Sequence, residues 1–497
     1  MKRINKALLV IPPAFTFKNS LDINPLPPLG LGYIAAVLQN QGVEVKIVDA
    51  LMMGWHNRIK VHDNIIRIGL NFEDIQKIIE DYAPDMVGVN SLFTKQRQNA
   101  HEIYRLAKKV APNIVTVAGG AHPTVLPELV LSDDNVDFVV LGEGEKTILD
   151  ILNIVEGRKE NLQLDGIGFK ENGKNILIPK TKFIHYIDGI SFPAWDVMNL
   201  ENYFGMKASH GERHHARFMP IMTSRGCSAG CTFCSAHRVW GRKYRMRSPE
   251  NVIEEMQQLK NKYGIEELMF EDDNLTLNIK RAEKIFDSMI EKNLNFAWDT
   301  PNGAAAFALT ESTIMKMKKS GCYQMNLALE SGSQYVLDNI IKKPLKLSKT
   351  KPLIKYAKEI GLNTSIFLVV GMPGETLEQI NESFRLAEEL ETYNPHVSVA
   401  TPYPGTELYD VCIKNGYIDP DFDLDDLFIR SFCITTEDWN SDDLKRILRH
   451  GRRYLLKAKY RKYPHMLIVD AVKGLKILMR DPFSLPQKFL RFVGAKT

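Results

Sequence analysis

No stretch of 18 or more apolar residues occurs in this chain of 497 residues, so nothing in it reads as a membrane-spanning helix. The first apolar run, residues 7–11, is too short for the core of a secretion signal and stops at Pro12-Pro13, so it reads as a strand. Cysteine is scarce: six in all, three of them within eight positions. That excludes a disulfide framework and makes a reducing cytoplasm the natural setting. No large excess of one charge exists either. The net charge is +4, and nothing points to a nucleic-acid module. What is present, 44% hydrophobic and 25% charged residues, is ordinary for a soluble globular protein, and the length asks for two or three domains.

The clustered cysteines stand in the run Arg225-Gly226-Cys227-Ser228-Ala229-Gly230-Cys231-Thr232-Phe233-Cys234. An iron–sulfur cubane is usually held by four thiolates, one per iron. Three thiolates at this spacing can hold three irons and leave the fourth open to a small chelating ligand, to which the cluster can pass one electron. Two other readings share the residues: a tetrahedral zinc site with His237 as fourth ligand, and unrelated buried thiols. Cys322, Cys412 and Cys433 repeat no cluster spacing and read as buried thiols, with Cys322 also a candidate substrate contact.

In the first third, apolar runs at 7–11, 44–48, 86–90, 114–118 and 138–141 alternate with helical patterns near 30–41, 72–81, 98–110 and 124–132. This alternation predicts a parallel, doubly wound sheet that binds ligands at the strands' C-terminal ends. Pro12-Pro13, Asp49, Ser91-Leu92, Gly119-Gly120 and Gly142-Glu143-Gly144-Glu145 all follow predicted strands. Glycine there lets a backbone approach a ligand closely. A nucleotide, flavin or response-regulator-like domain shares this pattern. Periodicity then fades over residues 156–216, apart from a hairpin predicted at Asn172-Gly173.

From Phe218 the alternation resumes, with strands predicted at 219–223, 267–270, 295–299, 324–329, 363–370 and 396–400. Six such units suggest an incomplete barrel, in which chemistry gathers at strand C-terminal ends. The cysteine run directly follows the first of these strands. Phe270-Glu271-Asp272-Asp273-Asn274-Leu275-Thr276, Glu330-Ser331-Gly332-Ser333, Gly371-Met372-Pro373-Gly374-Glu375-Thr376 and Thr401-Pro402-Tyr403-Pro404-Gly405-Thr406 follow later ones. The carboxylates suit ligand hydroxyls or amines, or the capping of a following helix.

Charge is concentrated at the end of the chain. From Lys445 to Thr497 fifteen Lys and Arg face Asp470 and Asp481 alone, a net of about +13 that leaves about −9 on the remainder. Basic and apolar residues alternate at helical spacing over 445–456, 475–480 and 489–492. Basic amphipathic helices read as membrane-surface segments, each cation near an anionic leaflet being worth roughly 1 kcal/mol. They also read as helices that pack on the barrel.

Taken together these motifs resemble the cobalamin-dependent radical S-adenosylmethionine (SAM) family, which includes C-methyltransferases and the anaerobic magnesium-protoporphyrin monomethyl ester cyclase group. The resemblance runs from about Lys6 to Glu407. It implies an α/β chain: a Rossmann-like cobalamin-binding domain (1–155), a linker (156–215) with the family-like Phe192-Pro193-Ala194-Trp195-Asp196, a partial (β/α)6 radical SAM barrel (216–407) and a basic helical C-terminal domain (408–497). It implies a [4Fe-4S] cluster on Cys227, Cys231 and Cys234. It further implies SAM contacts at Phe233, Asp272, Asp273, Glu330, Ser331, Gly332, Gly371 and Pro373, and cobalamin contacts at Pro13, Asp49, Ser91, Leu92, Gly119, Gly120, His122, Gly142 and Glu143. One departure is visible. Cobalamin domains that supply a lower axial histidine carry D-x-H-x-x-G, whereas here Asp49 is followed by Ala50-Leu51-Met52-Met53-Gly54, and His56 is out of register. The implied activity is reductive SAM cleavage to a 5′-deoxyadenosyl radical, with methylation of an unactivated carbon through methylcobalamin. The alternative is a radical oxidative cyclase or ring-rearranging enzyme acting on a porphyrin or lipid-like substrate. A cobalamin- or redox-sensing protein with a vestigial barrel is a third reading. The implied partners are a small molecule of anionic or lipid-like character, a low-potential donor of flavodoxin or ferredoxin type, and no nucleic acid. The implied location is cytoplasmic, with the basic tail reaching the inner membrane surface.

Overall fold

The first third of the chain builds the parallel sheet that its periodicity predicts. The computed structural model describes residues 3–18, 25–62, 64–158, 164–206, 208–419, 421–424 and 432–480. The elements run β1 (Lys6–Ile11), β2 (Ala14–Phe17), α1 (Leu29–Gln39), β3 (Glu44–Asp49), α2 (Ala50–Met53), β4 (Arg58–Lys60), β5 (Ile65–Ile68), α3 (Phe72–Tyr82), β6 (Met86–Asn90) and α4 (Arg97–Val110). They continue with β7 (Val115–Gly119), α5 (Ala121–Val125), α6 (Pro127–Leu131), β8 (Phe138–Val140), α7 (Gly144–Val155) and the hairpin β9 (Ile167–Glu171)–β10 (Lys174–Ile178). The sheet order is β10-β9-β8-β7-β6-β1-β3. All pairs from β3 to β8 are parallel, and the hairpin is antiparallel. Because β3 lies on one side of β1 and β6 on the other, the chain reverses its direction of travel at β1/β6. In open α/β sheets that is where ligands sit.

Strands such as β1 and β6 are buried on both faces, as helices on both sides of a sheet require. The predicted hairpin turn forms with φ 50° at Asn172 and 74° at Gly173, the sign a tight two-residue turn needs. It extends the first sheet. The helix predicted over 124–132 is instead two short pieces, α5 and α6. Pro127 opens the second, where its missing N–H costs no hydrogen bond. The antiparallel sheet β2-β5-β4 was not foreseen. It buries Ala14, Ile66 and Ile68 around Leu51, so the residue standing in the histidine position is part of an apolar cluster.

The chain divides into two compact units: Met1–Ser228, Ser235–Leu275 and Lys280–Pro301 form the first, and Ala229–Cys234, Thr276–Ile279 and Asn302–Thr497 the second. Beyond the first sheet, the first unit holds the small hairpin β11 (Ala208–Ser209)–β12 (Gly211–Glu212), β13 (Phe218–Ile221), β14 (Ser224–Arg225), α8 (Ala236–Trp240), β15 (Arg245–Met246), α9 (Pro249–Tyr263), β16 (Glu267–Phe270), α10 (Ile279–Glu291) and β17 (Ala297–Asp299). β13, β16 and β17 are parallel neighbours. Trp298 packs 5.0 Å from the Phe270 ring and 5.2 Å from Phe286 of α10, contacts worth about 0.5–1.5 kcal/mol each beyond area burial. α9 shows why its ends were legible: Ser248 caps Asn251 N, Pro249 opens the first turn and Gly264 closes it in the left-handed region.

The second unit contains α11 (Glu311–Lys319), β18 (Cys322–Glu330), a π-helix at Val336–Ile341, α12 (Leu347–Glu359), β19 (Asn363–Val370), α13 (Leu377–Glu389), β20 (His396–Val399), α14 (Glu407–Lys414), α15 (Ser441–Lys462) and α16 (His465–Arg480). β18, β19 and β20 are parallel. α15, the first basic tail helix, packs on α13. Gly451 lets it approach so closely that a Cβ there would lie 2.3 Å from the Phe384 ring. Arg461 and Lys462 pair with Glu388 and Glu391 at the end of that packing. On α16, Leu467, Ile468 and Val472 are exposed. The stretch 489–492 lies outside the described residues, and so do the side chains of 475–480. Among the described residues no helix is long and apolar enough to cross a membrane.

Candidate functional site

The C-terminal edge of the first sheet gathers most of the residues expected to hold cobalamin. Pro13 follows β1 and its carbonyl accepts from Asn99 Nδ2 at 2.8 Å. Asp49 ends β3 and caps α2 through Met52 N at 2.9 Å, and it accepts from Tyr203 Oη at 2.6 Å. Burial pushes its carboxyl up to about 6 against those two hydrogen bonds. Ser91 follows β6 and is buried, and its Oγ has no partner. Beside it Leu92 and Phe93 are each half exposed. Gly119 ends β7 with open space where a Cβ would stand, while Gly120, at φ 108°, passes within 2.5 Å of Asn90 and Ser91 atoms on the same measure. His122 is buried. Its Nδ1 lies 3.2 Å from Thr94 Oγ1, its Nε2 has no partner, and burial lowers its pKa to about 4. Buried polar atoms without partners are costly in a bare protein. Here Ser91 Oγ and His122 Nε2 lie with exposed apolar side chains at the switch-point edge, which fits a large ligand that is partly polar and partly apolar.

Gly142 and Glu143, also expected to touch cobalamin, are engaged elsewhere. Glu143 Oε1 accepts from Arg225 Nη1 at 3.0 Å and Arg245 Nη1 at 2.6 Å, and its Oε2 accepts from Ile184 N at 2.8 Å. Glu145 takes Arg225 Nη2 at 2.6 Å. A Cβ on Gly142 would lie 2.9 Å from Val239 O.

Past β16 the carboxylates divide their work. Asp272 is buried and accepts from Thr223 N (3.1 Å), Thr223 Oγ1 (2.7 Å) and Ser224 Oγ, so it ties the end of β13 to the end of β16. Asp273 is raised to about 6 by burial and then by the Asp272 charge, and its Oδ2 has no partner. A feature missed in the sequence lies beside them. His210, at the tip of the β11–β12 hairpin, sets Nδ1 3.0 Å from Glu271 Oε2. Arg213 beneath it is buried between Glu267 (3.1 Å) and Asp299 (2.9 Å). The density of charge in Gly211-Glu212-Arg213-His214-His215 was the available signal.

The second unit holds the remaining expected positions. Within Ala229–Cys234, Thr232 is pinned: its N donates to Ile341 O at 3.0 Å, its Oγ1 to Ile340 O at 3.0 Å, and its own carbonyl accepts from Leu408 N at 2.9 Å. The π-helix thus gives its last carbonyls to the cysteine loop. Phe233 is half-buried. Glu330 sits at a bulge in β18 with φ 69°, a conformation rare outside glycine, and pairs with Lys343 at 2.9 Å. Ser331 Oγ accepts from Ser333 N, and Gly332 N donates to Ser383 Oγ. A Cβ on Gly332 would stand 2.3 Å from Glu382 O, so this glycine serves close packing on α13. Gly371 (φ 80°) donates its N–H to Glu375 Oε2 at 2.8 Å, as Met372 does at 3.2 Å, and Pro373 is half-buried between them. Glu375 is buried, its Oε1 has no partner, and burial lifts its pKa to about 8. Trp439 Nε1 donates to Glu375 O at 2.7 Å.

None of Cys227, Cys231 and Cys234 is in a disulfide, and each is half-buried. Among the described residues no three His, Cys, Asp or Glu side chains are already grouped as metal ligands. The donor set itself, three thiols on one loop that follows a strand end, is chemically suited to iron and sulfide.

The B12 binding domain family matches residues 24–152 and the Radical SAM superfamily residues 221–387. A cytidylyl-2-hydroxyethylphosphonate methyltransferase of Streptomyces wedmorensis is 37% identical over 84% of this chain and 84% of its own length. The chain belongs to the cobalamin-dependent radical SAM enzymes. More distant is the anaerobic magnesium-protoporphyrin IX monomethyl ester cyclase of Rubrivivax gelatinosus, 25% identical over 88% of this chain and 75% of its own. The solved structure of the cobalamin-dependent SAM radical enzyme OxsB, with aqua-cobalamin and SAM bound, superposes with a TM-score of 0.70, covering 98% of this chain and 75% of that one at 16% identity. The fold is therefore a B12-binding domain followed by a radical SAM domain. The cofactors are a [4Fe-4S] cluster, SAM and cobalamin, and a small-molecule substrate and a reductant are required.

Proposed function

We propose that this enzyme transfers a methyl group to an unactivated carbon of a small anionic molecule. The observation that carries the reading is the 37% identity, across 84% of each chain, to a methyltransferase acting on a nucleotidyl phosphonate. The cyclase is less similar at 25%. When bound, the cluster and SAM supply a carbon-centred radical that takes hydrogen from substrate, and cobalamin carries the methyl group.

The chain's own residues hold and orient these groups. Cys227, Cys231 and Cys234 are the cluster ligands. Asp273, with its open Oδ2, Glu330 on its strained bulge, and the Gly371–Pro373 turn braced by Glu375 bind SAM, with Phe233 alongside. Asp272, Ser331 and Gly332 keep those strand ends in place. Ser91 Oγ, His122 Nε2, Leu92 and the open backbone at Gly119 would hold cobalamin, with Pro13, Asp49 and Gly120 shaping the edge. The domains are assigned as 1–155, 156–215, 216–407 and 408–497. The electron donor is of flavodoxin or ferredoxin type. The exposed Leu467, Ile468 and Val472 of α16, on a basic tail, support contact with an anionic membrane surface.

The test uses SAM with a trideuterated methyl group, reduced holoenzyme and cytidylyl-2-hydroxyethylphosphonate. A product carrying one trideuteromethyl group supports the reading. A product that has lost hydrogen and gained no label overturns methyl transfer in favour of oxidative cyclisation.

A further inference from the structure

The segment Gly226 to Tyr244, which carries the cysteine run, is closed at its base by a two-residue ribbon. β14 pairs with β15 antiparallel, and Arg225 stands directly opposite Arg245. Two like charges facing each other across strands repel, and both guanidinium groups are almost wholly buried. Their charge is met from one place, the loop after β8. Glu143 bridges both arginines, and Glu145, in the first turn of α7, takes the second edge of Arg225. The side chain of Glu143 is 0% exposed and that of Arg225 2%. Tyr33 and Trp240 flank the Arg225 guanidinium at 5.1 Å each, and Arg245 Nη2 also donates to Trp240 O at 2.6 Å. The same loop approaches α8, the helix that follows Cys234, so closely at Gly142 that only a hydrogen fits against Val239 O. Both carboxylate oxygens of Glu143 are thus spent on the ribbon arginines or on the linker at Ile184.

We infer that the Gly142-Glu143-Gly144-Glu145 loop of the cobalamin domain is the seat of the cluster loop, and that Glu143 and Glu145 are positioning residues for the iron–sulfur cluster rather than cofactor contacts. Removing either carboxylate partner from a buried guanidinium leaves an uncompensated charge and is strongly destabilising. The ribbon, and with it the start of the cysteine run at Gly226-Cys227, is therefore held from the cobalamin domain. The inference rests on the assignment of Cys227, Cys231 and Cys234 as cluster ligands.

The test compares the wild-type chain with Glu143→Gln and Glu145→Gln after anaerobic reconstitution. Three quantities are read: the electron paramagnetic resonance spectrum of the reduced cluster, the rate at which a chelator strips its iron, and the Kd for hydroxocobalamin by absorbance. The inference expects Glu143→Gln to shift the spectrum and speed iron loss at least tenfold while Kd changes less than twofold, with Glu145→Gln moving the same readouts by less. A tenfold weaker Kd with spectrum and iron loss unchanged overturns it. If Glu143→Gln does not fold, Glu145→Gln alone decides between these outcomes. A wild-type chain that takes up no cubane at all contradicts the cluster assignment itself, which separates that failure from the failure of this inference.

Discussion

Glu375 is a buried carboxyl in the turn that follows β19. Its Oε2 receives two backbone N–H groups, its Oε1 receives nothing, and desolvation outweighs the two hydrogen bonds to lift its pKa from 4.5 to about 8. The folded chain therefore holds a proton that the unfolded chain releases. The stability this proton supports is complete below pH 4.5 and is lost as pH rises through about 8, at roughly 1.4 kcal/mol per pH unit. Glu375→Gln keeps an acceptor for both N–H groups and abolishes the titration. Its buried amide nitrogen adds a pH-independent penalty of about 1–3 kcal/mol. The difference between variant and wild type then swings by about 4 kcal/mol in favour of the variant between pH 5 and pH 8. For a unit of this size that is a change in the Tm difference on the order of 10 °C. Thermal melts followed by tryptophan fluorescence suit the purpose, because Trp439 donates to the Glu375 carbonyl. A Tm difference that stays flat with pH would mean that Glu375 is already ionised in the folded chain, against the raised pKa.

Further predictions come from single contacts. Tyr203→Phe removes the 2.6 Å donor to Asp49 and should cost about 1–3 kcal/mol. The Tyr203 hydroxyl favours the ionised carboxylate and holds the burial-raised Asp49 pKa down to about 6, so the variant pushes that pKa higher and chemical denaturation should show a larger loss at pH 7.5 than at pH 5. Glu271→Gln should lower the pKa of His210. Burial pulls that pKa down, and the hydrogen bond and charge of Glu271 hold it above the ordinary histidine value; histidine NMR titration reads the change. Thr232→Val loses the Oγ1 bond to Ile340 O, so it should destabilise by about 0.5–1.5 kcal/mol and make reconstituted iron easier to remove.

The parallel strands were legible because each is a short apolar run closed by a turn residue, as at Met86–Asn90 before Ser91, and burial on both faces leaves little else for such a run to be. The Asn172-Gly173 turn was legible for a similarly local reason. The β2-β5-β4 sheet was not, because strands of three or four residues carrying Arg58, Lys60 and Arg67 have no clear period. At the strand ends, position could be read but orientation could not. Asp272 and Asp273 are adjacent and identical in kind, yet three donors occupy one and none reaches Oδ2 of the other. The partners of Glu143 were hidden for the same reason. Its motif lies at a ligand-binding edge, and only the fold brings Arg225 and Arg245, 20 residues apart in sequence, onto one carboxylate.

This chain is expected to cleave SAM by radical chemistry and also to use SAM as a methyl donor. The most direct measurement quantifies 5′-deoxyadenosine and S-adenosylhomocysteine by mass spectrometry from anaerobically reconstituted enzyme with SAM, hydroxocobalamin and a low-potential reductant, with Cys231→Ala as control. Both products are expected from the wild type and neither from the variant. Neither product from a wild-type chain with a full cluster would contradict that expectation.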